Sequence, residues 1–394
     1  MVAFTVTAEK LLYGGDALAR RGDGKAVFVP YAVPGDRLLV RTVAEKKNYI
    51  RAEILEILTP GDGRVAPACL HFGRCGGCHW QQIEYSRQAE AKRLILEELF
   101  HHRFPEAGRP AISMRPCPRP FGYRSRARIR RRAGRAAAVG FFRAGSHLIE
   151  DIENCPLFRP RLNDALRALR RIPFEPFRAS RNDNDEEIDM ACSEEEGTWV
   201  KTGDKTLLRR KVGDFTYNIA AGTFFQTNDF MTDALVSHVM DCASKSSQNS
   251  GSALDLFSGV GLFSLPLARL FRAVTAVEYS RESHRLCVMN AAEAGMENLQ
   301  AVSADAAEWL NQQNASRFDC VVLDPPRAGV ESGVMEQIDR IASKTIIYVS
   351  CDPQTLARDL ERLDAKRRRI VSVAGFDMFP QTYHFETVVH IERI

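Results

Sequence analysis

The chain has 394 residues, 45% of them hydrophobic and 26% charged. That balance excludes a disordered or fibrous chain, and the length suits two or three domains. Net charge is +4, yet residues 1–150 hold 26 Lys and Arg against 14 Asp and Glu, while the remainder holds 28 against 36. So basic a first third points to a polyanionic partner, with a merely solvated Arg-rich surface as the alternative. No stretch reads as a membrane span, and no basic cluster followed by an apolar run opens the chain. A cytoplasmic protein is expected, its ten cysteines mostly reduced thiols.

Residues 1–58 read as about five short strands broken by turns. Phe4–Thr7 is β-prone, and strands are predicted over Lys25–Pro30, Arg37–Val43 and Arg51–Leu58. Gly14-Gly15-Asp16 and Gly22-Asp23-Gly24 are turn signals between them. The count suits a small barrel of the oligonucleotide-binding type. Pro60 to Pro67 reads as a linker, then come Cys69, Cys75 and Cys78, and then a helical run from Glu84 to Phe104. Tyr123 to Phe142 is β-prone, and alternation would put Arg124, Arg126, Arg128 and Arg130 on one strand face. RNA contact is the favoured use of that face; an exposed charged edge is the alternative. Arg181 to Glu187 and Ser244 to Gly251 read as polar loops.

Beyond Ser252, apolar runs over 253–257, 273–277, 299–302, 320–323 and 345–349 alternate with segments of helical period. That is the pattern of a βαβ sheet with helices on both faces. Leu254 to Phe263 reads as a strand, a glycine turn at Gly259 and Gly261, and a helix start. Glu278 ends the next strand 19 residues after Gly259, where a ribose-binding carboxylate is expected. Asp305 ends the strand after that, and Asp324 opens Asp-Pro-Pro-Arg-Ala-Gly. Open α/β sheets bind ligands along such a carboxyl rim. The dinucleotide fingerprint lacks its third glycine and no phosphate-cradling Lys motif is present. A phosphate-free adenosine ligand, S-adenosylmethionine, therefore fits better than NAD or ATP. The plainer alternative is a tight turn with helix-capping carboxylates.

Cys351 falls just past a strand on the same rim, followed by Pro353, a good first-turn helix residue. A helix dipole aimed at the thiol would favour its nucleophilic thiolate; the alternative is a small buried residue ending a strand. Glu386 lies in an apolar strand near the C-terminus. Desolvation there would raise its pKa toward that of a general base, whereas an edge-strand position would leave it solvated.

Together these motifs resemble the RNA (uracil-5-)-methyltransferase family over nearly the whole chain. Phe28-Val-Pro30 and Pro34-Gly-Asp36 are similar to the pattern of a TRAM domain, a small RNA-binding barrel. Cys69-x5-Cys75-x2-Cys78 with Cys155 resembles the family's four-cysteine [4Fe–4S] site, although spacing alone leaves zinc a competitor. Gly222-Thr-Phe-Phe-Gln226-Thr-Asn228 matches a cofactor-contacting segment, the sole ground for singling out Gln226. Asp324-Pro-Pro-Arg-Ala-Gly329, Ser350-Cys351-Asp-Pro353 and His384-Phe-Glu386-Thr are the most specific matches. Ser258 stands where many relatives carry cysteine, and Leu262 where some use a polar residue near the cofactor.

The resemblance implies a Rossmann-like α/β methyltransferase domain over 223–394. A TRAM-like barrel over 1–58 and a central iron–sulfur α+β domain over 59–222 would precede it. It implies Cys351 as nucleophile, Glu386 as base and Cys69, Cys75, Cys78 and Cys155 as cluster ligands. The expected cofactor contacts are Gln226, Phe257, Gly259, Leu262, Glu278, Asp305 and Asp324. Thiolate addition to uracil C6 would make C5 nucleophilic, and Asp324 would hydrogen-bond the base or order the site. The target base would have to leave its stack. Barrel and cluster together resemble the 23S rRNA branch. A tRNA uridine, or an RNA-binding protein with a relict cofactor site, are the alternatives. A monomer is the default expectation, and neither a DNA nor a membrane partner is expected.

Overall fold

The structure is a computed structural model describing residues 3–105, 110–132, 137–172, 185–246, 251–313 and 318–394. Five strands open the chain: β1 (Ala3–Leu11), β2 (Ala17–Arg20), β3 (Ala26–Val29), β4 (Arg37–Glu45) and β5 (Tyr49–Thr59). They close into a barrel in the order β1-β2-β3-β5-β4, with β1 also pairing β4. Alternate residues such as Val27, Val29, Leu38 and Val40 fill its interior. The segment read as a linker is fastened to the barrel. The buried Asp36 carboxylate accepts from the Gly61 N–H (2.7 Å) and the Arg64 guanidinium (2.9 Å), and the Val65 N–H donates to the Gln82 carbonyl.

The helix Tyr85–Arg103 follows, buried along Gln88, Lys92, Ile95, Leu96, Leu99 and Phe100, the spacing of one helical face. Strand β6 (Ala111–Arg115) then leaves for the large sheet described below. Strands β7 (Arg126–Arg132), β8 (Ala138–Phe142), β9 (Ile149–Asp151), β10 (Asp185–Ser193) and β11 (Thr198–Lys201) form a second sheet, order β11-β10-β7-β8-β9. The predicted polar loop at 181–187 is in part strand. Residues 185–187 pair with 130–132, setting an acidic run against an arginine run. Residues 181–184, and 247–250 of the other predicted loop, lie outside the described residues. Strands β12 (Leu208–Val212) and β13 (Phe215–Ile219) make a hairpin.

The remaining strands are β14 (Ser252–Leu256), β15 (Ala273–Glu278), β16 (Leu299–Ser303), β17 (Phe318–Leu323), β18 (Ala342–Ser350), β19 (Arg368–Phe376) and β20 (Glu386–Arg393). With β6 they form an eight-stranded sheet in the order β16-β15-β14-β17-β18-β20-β19-β6. β14 to β18 are mutually parallel, as the buried apolar runs predict, and β20 is antiparallel to both β18 and β19. The chain order steps outward from β14 to β16 and then returns beside β14 with β17, which is a topological switch point. Among the described residues no helix is long and apolar enough to cross a membrane.

Candidate active site

The register of the large sheet brings the site together. Leu256 pairs with Val277 on one side and Leu323 on the other. The next residues, Phe257, Glu278 and Asp324, therefore emerge side by side at the carboxyl rim. β20 runs the other way, so its first residue, Glu386, also sits at that rim. Ser350 pairs with Thr387, and one more step of the register sets Cys351 opposite Glu386. These side chains and Gln226 line one cavity of about 640 Å³, a size typical of ligand sites.

Backbone geometry opens the cavity. Phe257 has φ of 62°, a left-handed conformation that costs a non-glycine residue about 1–3 kcal/mol and is held only by its surroundings. Gly261 has φ of 93°, and a Cβ there would lie 2.8 Å from Leu265 and 3.1 Å from Cys287. The Gly259 N–H donates to Glu278 Oε2 at 2.9 Å and the Ser280 N–H to Oε1 at 2.7 Å. Glu278 thus faces the cavity while bracing the glycine turn.

Carboxyl groups and arginines both line the cavity: Glu278, Asp324 and Glu386 beside Arg124, Arg126, Arg128 and Arg327. Glu386 is only 3% exposed, and its Oε2 has no hydrogen-bond partner. Burial, then the neighbouring Asp324, raises its pKa well above the usual carboxylate range, with Arg327 opposing. Burial and then Asp255 raise Asp324 to about 7. Burial also pushes the Cys351 thiol up to about 12, Glu386 adds to that, and Arg327 counters it. Arg327 is the cation that sequence reading gave no role. The helix expected to activate Cys351, Pro353–Leu360, has its N-terminus filled instead. Asp352 accepts from the N–H groups of Gln354 (2.9 Å) and Thr355 (3.1 Å).

Asp305 and Leu262, also predicted site residues, stand elsewhere. Asp305 caps the helix Ala306–Asn311, accepting from Ala307 N–H (2.9 Å) and Glu308 N–H (3.1 Å), and does not line the cavity. Leu262 is packed in the core, where its carbonyl accepts from the Tyr217 hydroxyl. Gln226 lies against the cavity with its amide Nε2 buried and unpartnered. The arginine face is largely committed. Arg126 donates to the carbonyls of Ala220, Ala221 and Thr223, fixing the turn that leads to Gln226. Arg128 pairs with Asp189 and Glu187, and Arg130 with Glu187.

Cys69, Cys75, Cys78 and Cys155 line one small cavity, and none is in a disulfide. Burial raises the thiols of Cys78 and Cys155 to about 12, with neighbouring cysteines adding to it. His71 is engaged by Glu150 at 2.9 Å. Among the described residues no three His, Cys, Asp or Glu side chains are grouped to hold a single metal ion.

A family model described as tRNA (Uracil-5-)-methyltransferase matches residues 204–394. The chain is 32% identical to an uncharacterized RNA methyltransferase of Thermosynechococcus vestitus, over 95% of this chain and 96% of the relative. It is also 32% identical to a 23S rRNA (uracil(1939)-C(5))-methyltransferase of Yersinia enterocolitica, over 98% of this chain and 94% of the relative. The chain belongs to the RNA (uracil-5-)-methyltransferase family. It is accordingly an S-adenosylmethionine-dependent enzyme that methylates uracil C5 in RNA. The Pyrococcus abyssi tRNA (uracil-54, C5)-methyltransferase, solved with S-adenosyl-L-homocysteine, shares its fold. The TM-score is 0.75 over 98% of this chain and 100% of that one, at 22% identity. The methyltransferase fold and the five-stranded barrel stand as the sequence predicts.

Proposed function

We propose that the enzyme methylates C5 of a uridine in 23S rRNA, with Cys351 as nucleophile and Glu386 as base. The observation carrying this reading is the pair itself: a half-buried thiol and a buried carboxyl, its Oε2 unpartnered, brought opposite each other by the β18–β20 register in a cavity that Asp324 also lines. The rRNA substrate is supported by the full-length likeness to the Yersinia enzyme.

Uracil C5 is a poor nucleophile. Cys351 loses its proton and its sulfur adds to C6, leaving C5 enolate-like. S-adenosylmethionine, when bound, would supply the methyl that C5 takes, its S–CH3 bond breaking to release S-adenosylhomocysteine. Glu386 removes the C5 proton, the C5–C6 double bond re-forms, and the Cys351 sulfur leaves. Arg327 is the cation that favours the thiolate, and the raised pKa of Glu386 suits a base acting on a carbon-bound proton. Asp324, its pKa raised to about 7, keeps a protonated fraction at neutral pH that can donate to a uracil carbonyl, and so can the free amide N–H of Gln226. S-adenosylmethionine would lie at the glycine turn, with Phe257, Gly259 and Glu278 as its contacts. Asp305 would act from the helix cap and Leu262 from the core behind the turn.

For the four cysteines we keep the [4Fe–4S] reading. Four cysteines line one cavity and none is in a disulfide, which is the donor set such a cluster takes. Methyl transfer moves no electron, so the cluster's role is structural or RNA-positioning. The barrel over 1–58, the central segment 59–222 and the catalytic segment 223–394 form the proposed division, with β6 as the part of the central segment that enters the catalytic sheet.

The test is covalent trapping. RNA carrying 5-fluorouridine at the target offers no C5 proton to remove, so wild-type enzyme with S-adenosylmethionine should form a denaturation-stable adduct. Cys351→Ala should form none. Glu386→Gln should accumulate an adduct even on ordinary uridine RNA, with turnover down by about 10²–10⁴-fold. An adduct formed equally well by Cys351→Ala would overturn the assignment.

A further inference from the structure

A second cavity, of about 540 Å³, adjoins the active-site cavity and shares Arg124, Arg128, Arg327 and Phe379 with it. Its far side is formed by the strand end and turn 141–145, and by Gly76 and Gly77 between the cluster cysteines. Gly145 has φ of 66° with nothing within 4 Å of a Cβ position, so that turn leaves the space open.

The lining has two kinds of group. Phe141, Phe142, His79 and His384 supply ring surface, and His79 and His384 both contact Tyr383, with centroids 4.7 and 4.0 Å away. Both histidine rings line the cavity and offer faces for stacking. On the shared wall, Arg128 is paired with carboxylates. Neither Arg124 nor Arg327 has a carboxylate partner among the described residues. Ring faces beside arginines that have no carboxylate partner are what single-stranded nucleic acid uses, bases stacking while arginines hold phosphates.

We propose that this second cavity receives the nucleobase immediately adjacent to the target uridine, with the phosphate between the two held at the shared wall by Arg124 and Arg327. The inference rests on the reading of the first cavity as the uridine site. A strand whose target base enters the first cavity must pass the shared wall, and the next base then meets the ring-lined space. The enzyme thus reads a flanking nucleotide as well as the uridine, and the loop carrying Cys75 and Cys78 forms part of that reading surface.

An abasic scan with site variants tests this. The probe is a 23S rRNA-derived oligonucleotide containing the methylated uridine, with a single abasic residue placed in turn at each neighbouring position. Binding is read by fluorescence anisotropy and methylation separately. In the wild-type holoenzyme, an abasic residue at one immediate neighbour should weaken binding about tenfold, the scale of one lost base stack. That penalty should vanish in Phe142→Ala, which removes ring surface. It should vanish equally in Ala144→Trp, which fills the cavity from an exposed turn position and leaves the core untouched. An equal penalty in wild type and both variants would overturn the proposal, as would no penalty at either neighbour. Because binding is measured without turnover, an oligonucleotide that binds with the neighbour-specific penalty but is never methylated would contradict the uridine assignment and leave the second cavity supported.

Discussion

Cys351 and Asp324 show what burial does to single groups at this rim. At Cys351 burial and Glu386 favour the neutral thiol, and Arg327 opposes them. Asp324 has its pKa raised from 3.8 to about 7. A carboxyl raised in this way favours the folded state fully below its unfolded pKa, and the advantage is lost as pH rises through about 7. Asp324→Asn should therefore be more thermostable than wild type by an amount that grows from pH 5 to pH 8. The gain should be on the order of 1–3 kcal/mol by pH 8, with methylation sharply reduced. Thermal melts at several pH values check this, and a pH-independent difference would contradict it. Elsewhere at this scale sequence and structure part for local reasons. Asp305 has the right spacing for a ligand carboxylate, but the helix beginning at Ala306 takes it as a cap. Arg126 has the right alternation for RNA, but three turn carbonyls take its guanidinium.

The segment leading into Glu386 is clamped from outside the catalytic sheet. Lys92 and Asp377, both fully buried, pair at 2.6 Å, and the Tyr85 hydroxyl also donates to Asp377, at 2.9 Å. Gln88 exchanges hydrogen bonds with Gln381, whose φ is 69°. The helix Tyr85–Arg103 thus fixes the turn that leads into Glu386. Lys92→Met should cost about 3–5 kcal/mol, because it strands the buried Asp377 charge. The double variant Lys92→Met/Asp377→Leu should recover most of that loss in denaturant unfolding, and no recovery would contradict the account. This element was half legible. Its period and limits can be read from sequence, with Glu84 at the start and Phe104 at the end. Its partner, nearly 300 residues away, cannot. The five parallel strands were legible because each is an apolar run, whereas β6 was not, because its alternation signals no particular neighbour. Cys351 and Glu386 were each ambiguous in sequence, and only the antiparallel register of β20 makes them a pair.

Across the whole molecule, the barrel, the cysteine loop and the catalytic sheet meet around the site. Tyr13 of the barrel donates to the Cys351 carbonyl at 3.4 Å, and the Trp80 indole donates to the Gly15 carbonyl at 3.0 Å. The basic first third thereby adjoins the cavity that holds Cys351 and Glu386. Cys78→Ser should lower iron and sulfide content and weaken RNA binding, while S-adenosylmethionine affinity stays near wild type. Full RNA affinity in a folded, iron-free variant would contradict a positioning role for the cluster. The central claim is C5 chemistry on ribosomal RNA, and tritium release tests it most directly. With uracil labelled at C5, wild-type enzyme should release tritium from 23S rRNA only when S-adenosylmethionine is present. Methyl transfer to that RNA without tritium release would contradict the Cys351–Glu386 mechanism, and release from tRNA alone would contradict the ribosomal substrate.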